Sequence, residues 1–157
     1  MNTRATETPR YVLDASVAGK WHLTEEHHTA RALEARTDFV EDRTQIIAPD
    51  LLYHEVTGAL LKATRNPERG IRISRETARR EVTAFFLWGI HFVPAQSLAP
   101  LAFDLADRFR CSYYDAVYLA LAEETGAPFL YADNKLRNAL GNRFPLALWI
   151  EDYQPAR

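Results

Sequence analysis

The sequence predicts an α/β domain of three layers, with a central, mostly parallel sheet of about four to five strands flanked by helices. Three observations predict it. Short apolar runs, partly β-branched or aromatic, alternate along the chain with longer segments of helical period. The short runs are almost continuously apolar, as in strands covered on both faces. The longer segments open with Ser or Asp, the residues that cap helix N-termini. Strands buried on both faces and separated by helices require a parallel sheet with helices on each side.

In chain order, the strands are expected at YVLDA (11–15), QIIAP (45–49), HFVP (91–94), PFLYAD (128–133) and LALWI (146–150). Each ends at a turn or cap residue. The helices are expected at DLLYHEVTGALLKATR (50–65), SRETARREVTAFFLWG (74–89), SLAPLAFDLADRFR (97–110), SYYDAVYLALAEETG (112–126) and DNKLRNALG (133–141). Apolar residues recur in each near i, i+3, i+4 and i+7. An earlier helix is expected to carry His27 and His28 toward solvent. RNPERGIRIS (65–74), polar and basic with Pro67 and Gly70, reads as a loop between two helices.

A length of 157 residues fits one domain, expected over residues 11–150 with a flexible tail at 1–10 and a short tail at 151–157. With 47% hydrophobic and 25% charged residues, and no window near 18 consecutive apolar residues, the composition is that of a soluble globular protein without a membrane span. MNTRATETPR lacks the apolar core of a secretory signal, so the cytoplasm is the expected location. The single cysteine, Cys111, excludes an intramolecular disulfide and reads as a packed thiol, and no Cys/His set has zinc spacing. A formal net charge of -2 gives no global attraction to nucleic acid, so any such binding rests on local patches.

Four acids carry the functional signal. Asp14 ends the first strand, and parallel sheets bind ligands beyond the carboxyl ends of their strands. Glu55 borders the apolar stripe of the helix that includes Leu52, Ala59 and Leu60, and Asp115 does so on its own helix. Asp133 directly follows PFLYA, again at a strand end. Four carboxylates converging on one crevice would repel one another and lose hydration, which calls for a cation. A hard divalent ion, Mg²⁺ or Mn²⁺, suits an all-oxygen site. Each acid also has a purely structural explanation. Ser112 and Asp115 form an S-x-x-D capping pattern, Asp133 reads as an N-cap, Asp14 starts a turn, and Glu55 fits a solvated helix edge. Their coincidence at one end of the sheet is what points to a site.

VLDASVAGKW, APDLLYHEVTGALLKA and LADRFRCSYYDAVYLALAEETGAPFLYADNKL, in this order and spacing from about residue 11 to residue 150, resemble the PIN-domain ribonucleases, and specifically the VapC toxins of prokaryotic toxin–antitoxin pairs. The resemblance implies a metal-dependent endoribonuclease that hydrolyses phosphodiester bonds in structured RNA such as tRNA or rRNA. It implies that Asp14, Glu55, Asp115 and Asp133 hold Mg²⁺ or Mn²⁺, and that no side-chain nucleophile is needed. Ser16, in LDAS, matches the family's small polar residue and is a candidate to support the metal shell, with an N-cap of the next helix as its structural alternative. Tyr131 departs from the family, which often has Thr or Ser there. The resemblance also implies a homodimer held inactive by a VapB-like antitoxin, as a hetero-oligomer of toxin and antitoxin.

The remaining signals are weaker. His54-Glu55 begins an H-E-x-x-H pattern, but Gly58 ends it. Arg65, Arg69, Arg72, Arg75, Arg79 and Arg80 gather over 65–80, either as a solvated basic face or as an RNA-contacting patch, with the first four as the leading candidates. Trp21, Phe85, Phe86 and Trp88 read as core or interface. A receiver-like Mg²⁺ domain would need an acid pair where Tyr11 and Val12 stand. The alternative that remains is a PIN-like module that has lost catalysis and only binds RNA or protein.

Overall fold

Strand β1 (Arg10–Leu13) lies at the centre of the sheet because its inner residues have no polar face to show: Val12 and Leu13 are both fully buried. Four further strands, β2 (Gln45–Pro49), β3 (His91–Val93), β4 (Phe129–Tyr131) and β5 (Ala147–Trp149), complete a sheet of order β3-β2-β1-β4-β5. All four pairings are parallel, with Val12 opposite Ile47 on one side and Phe129 on the other. The computed structural model describes residues 8–23, 28–66 and 72–156. Within them the helices are α1 (Ala15–Ala18), α2 (Thr29–Val40), α3 (Leu51–Thr64), α4 (Arg75–Phe86), α5 (Ala99–Phe109), α6 (Tyr113–Thr125) and α7 (Asn134–Leu140). This is the expected three-layer α/β domain, and the expected strands and helices fall where the apolar periodicity put them. None of the helices described is long and apolar enough to cross a membrane.

Helix α6 is the spine of one layer. Its residues Ala116 to Ala122 are buried without interruption, and a helix apolar all round must lie inside. It packs on β1, β2 and β4 and is covered by α5, which contributes Ala102, Leu105 and Phe109. Gly126 ends it in the left-handed conformation (φ 67°), its amide returning to the carbonyl of Ala122 at 2.8 Å, a backbone shape that glycine adopts without strain.

The caps divide. Ser74, Ser112 and Asp133 accept from the amides of Thr77, Asp115 and Leu136 at 3.0, 3.0 and 2.9 Å, as the sequence predicts. Asp50 and Ser97 do not cap. The Asp50 carboxylate instead accepts from the amide of Ala95 at 2.9 Å, tying the end of β2 to the turn after β3. Ser97 lies within a 3₁₀ turn (Ala95–Leu98) and donates to the carbonyl of Pro94, so α5 begins later, with Pro100 in its first turn.

The early helix is α2, and His28 is its N-cap residue in a left-handed conformation (φ 64°) rather than part of its solvent face. The His28 ring packs edge-on to Trp149 at 5.3 Å and bonds Glu151. His27 lies outside the described residues. Trp21 and Phe85 are core, and Trp88 stacks on Trp21 at 5.6 Å, whereas Phe86 is 62% exposed.

Order extends to both ends of the described chain. β1 starts at Arg10, and beyond residue 150 Tyr153 is buried, donating its hydroxyl to Asp38 at 2.6 Å. The same carboxylate accepts from the amide of Ala156 at 2.9 Å and pairs with Arg43 at 2.7 Å. Burial alone would push the Asp38 carboxyl up, but these three donors outweigh it and hold it below its ordinary value. A buried acid satisfied on every side thus fastens residues 153–156 to α2.

Candidate active site

The chain leaves β1 at Asp14 and turns at once into α1. Asp14 is the N-cap of that helix: its Oδ2 accepts from the amide of Ser16 at 3.0 Å and from the Ser16 hydroxyl. Ser16 is therefore not itself the cap. Its oxygen accepts in turn from the amide of Ala132 at 2.9 Å, joining the ends of β1 and β4. The sheet order reverses between these two strands, since β2 and β3 lie to one side of β1 and β4 and β5 to the other. That reversal is where open parallel sheets form their binding crevice. Asp14 sits there only 5% exposed.

Glu55, on α3, and Asp115, in the first turn of α6, are half-buried and close enough for their charges to act on Asp14. Each has its own hydroxyl donor. Tyr118 donates to Glu55 Oε2, and Ser112 donates to Asp115 Oδ2 at 2.6 Å while also capping its helix. The capping explanation of Asp115 and its place among the acids therefore hold together. Asp133 begins α7 just beyond Ala132, its Oδ1 accepting from the amide of Leu136.

A family model for the PIN domain matches residues 11–140. The chain is a PIN-domain protein. The crystal structure of PAE2754 from Pyrobaculum aerophilum shares this PIN fold with a TM-score of 0.62 over 92% of each chain, at 21% identity. Among curated proteins, none matches the chain. PIN domains are typically metal-dependent nucleases, which makes the acid crevice the candidate active site.

The electrostatics of this PIN domain set Asp14 apart. Its carboxyl is raised to about 7, first by burial and then by the charges of Glu55 and Asp115, against the two bonds from Ser16, which lower it. Glu55 is raised by burial, eased by the Tyr118 hydroxyl, and raised again by Asp115. Cys111 is raised by burial and by Asp115, so its thiol stays protonated and is no nucleophile. The donor set fits a hard divalent cation in kind: oxygen ligands only, one of them buried, with like charges that a cation would relieve. As they stand, each carboxylate is turned to its own donor. Among the described residues, no group of three or more His, Cys, Asp or Glu side chains is set to hold a metal ion.

Tyr131, where the family often has Thr or Ser, gives no hydroxyl to the acids among the described residues. Tyr131 stacks on Phe129 at 5.1 Å and meets Trp149 edge-on at 5.4 Å, and the charges that act on it are Arg137 and Asp152. The hydroxyls that reach the acids come from Ser16, Ser112 and Tyr118. Tyr118 was legible only as part of the apolar stripe of its helix. The available signal was a hydroxyl in an otherwise apolar run, one helical turn after Asp115.

The basic patch lies farther off. Arg65 closes α3 ten residues after Glu55, about 15 Å along the helix axis. Arg75, Arg79 and Arg80 line a cavity of about 730 Å³ on α4, and Arg72 precedes that helix, exposed. Among the described residues, none of these five arginines is in an ion pair. Arg69 lies outside the described residues.

Asp14 gives the metal-free protein a defined pH dependence. Its carboxyl binds a proton more tightly in the folded chain, at about 7, than at the ordinary value of 3.8, so its contribution to stability falls as pH rises between those values. Calorimetry in EDTA is expected to show the melting temperature falling across that range. Asp14→Asn flattens the slope and raises the pH 8 melting temperature by several degrees, and added Mn²⁺ recovers stability in the parent chain only.

Proposed function

We propose that this PIN domain is a Mg²⁺- or Mn²⁺-dependent endoribonuclease of the VapC toxin type, acting on structured RNA such as tRNA or rRNA. The observation that carries the proposal is the buried Asp14 carboxylate at the reversal of the sheet, with Glu55 and Asp115 as its nearest like charges. A carboxylate kept dry beside two others costs stability, and a cation offsets that cost.

Asp14, Glu55 and Asp115, with Asp133 as the fourth acid that the family resemblance implies, would hold the ion, which when bound supplies an activated water and neutralises charge on the phosphodiester. Ser16 orients Asp14 and ties it to β4. Ser112 orients Asp115. Arg65, about 15 Å along α3 from Glu55, and the arginines at the start of α4 would take neighbouring phosphates along the RNA. The same reading gives the protein a cytoplasmic location, a homodimer and a VapB-like antitoxin. Phe86 and Leu87 at the end of α4 and Phe103 on α5, 62%, 75% and 70% exposed, are apolar surface that a partner would cover.

Purified chain is expected to cut cellular RNA at discrete positions with Mg²⁺ or Mn²⁺, leaving 5′-phosphate and 3′-hydroxyl ends. EDTA or Asp115→Asn abolishes the cuts with the fold intact. A folded chain that binds RNA without metal-dependent cuts would instead be a binding module. Changing Arg75 and Arg79 to Glu is expected to weaken RNA binding and lower its salt slope by about one unit per lost phosphate contact. An unchanged slope would return those arginines to the solvated surface. In light scattering the chain is expected at twice its monomer mass, and a monomer well above cellular concentrations would remove the dimer.

A further inference from the structure

Tyr118 is the aromatic residue at the heart of the acid crevice. It stands one helical turn after Asp115 on α6, on the same side of the helix. Its ring is 1% exposed and lies tilted over Phe129 of β4 at 6.2 Å, so helix and sheet fix its direction together. The charges of Asp14, Glu55 and Asp115 all act on its hydroxyl. A buried hydroxyl needs a partner, and this one has Glu55 Oε2. Phenylalanine would fill the same space, so the oxygen serves the carboxylate rather than the packing.

Ser16 and Ser112 bind acids of their own helical turns, whereas Tyr118 reaches across from α6 to an acid on α3. Glu55 needs that reach most. It hangs from a long side chain at a half-buried position, and Asp14 and Asp115 push its charge away from the crevice. A fixed donor beneath it is what keeps it inward. Burial and the surrounding acids raise the Tyr118 hydroxyl far above its ordinary value, so it remains a donor throughout the working pH range.

We infer that Tyr118 is a positioning residue that holds the Glu55 carboxylate in the crevice for the divalent cation. The inference rests on the metal-site reading above. It acts through Glu55 and touches neither substrate nor the reacting phosphate.

The test is Mn²⁺ binding by titration calorimetry on four chains: parent, Tyr118→Phe, Glu55→Ala, and the double variant, each with its metal-free melting temperature. Tyr118→Phe is expected to weaken Mn²⁺ binding by about 10- to 100-fold, with melting within a few degrees of the parent. On the Glu55→Ala background the same change is expected to shift binding by less than about twofold, because its target is gone. Parent-like affinity in Tyr118→Phe would overturn the positioning role, as would an equal loss on both backgrounds, which marks a general structural effect. A parent chain that takes up no Mn²⁺ would overturn the metal-site reading and this inference with it, a result distinct from either of those.

Discussion

Burial of one carboxylate organises this molecule. Asp14 lies at the end of the central strand, where the order of strands reverses between β1 and β4. Excluding it from water is unfavourable, and Ser16 offsets only part of that, through an amide and a hydroxyl directed at one carboxylate oxygen. Ser16 reaches Ala132 as well, so the group that holds the acid also ties the two strands. The position of Asp14, the closure of the sheet and the mouth of the crevice therefore depend on one short turn.

The helices around that turn are placed by packing and then used for chemistry. α6 is apolar on every side, which drives it into the interior against three strands. Its first turn is consequently left at the crevice mouth, where Asp115 is held by Ser112, and its next turn puts Tyr118 beneath the acids. α3 brings Glu55 to Tyr118, which donates to its carboxylate. Three like charges are thus kept together by three hydroxyls on scaffolds that owe their rigidity to the apolar core. Each of the three acids is thereby held by a hydroxyl of its own.

α3 and α4 pack against each other along their length. Tyr53 and Phe86 meet edge-on at 5.4 Å, placing the end of α4 near the start of α3, while Arg75 and Arg79 line the groove beside Leu61 and Thr64 at the other end. Basic and exposed apolar side chains thus share this surface: Leu61 lies beside Arg75 and Arg79, and Leu87 shares a groove with Arg75, Arg79 and Arg80. At the far edge of the fold, Asp38 gathers Tyr153, Ala156 and Arg43, and so fixes the last described residues to α2.

Periodicity alone determined the layers, because continuous apolar runs such as VLDA and PFLYA are compatible only with strands covered on both faces, and the order of strands and helices then requires parallel pairing. The acids stood out for a related reason: a carboxylate at the end of an apolar strand, or on the edge of an apolar helix face, violates the local pattern. Of the four, the structure shows Asp14, Glu55 and Asp115 acting on one another, with Asp133 as the cap of α7. Caps were legible only where the side chain serves its own turn, as at Ser74 and Asp133; Asp50 and Ser97 look identical in sequence but bond elsewhere. Tertiary structure alone decided which hydroxyl serves which acid. The Tyr118 bond to Glu55 spans 63 residues and the Ser16 bond to Ala132 spans 116, and no spacing rule predicts a contact made by strands and helices meeting in space. It likewise decided that Tyr131 belongs to the aromatic stack with Phe129 and Trp149, since the pleat of β4 and its register with β5 set where that side chain goes.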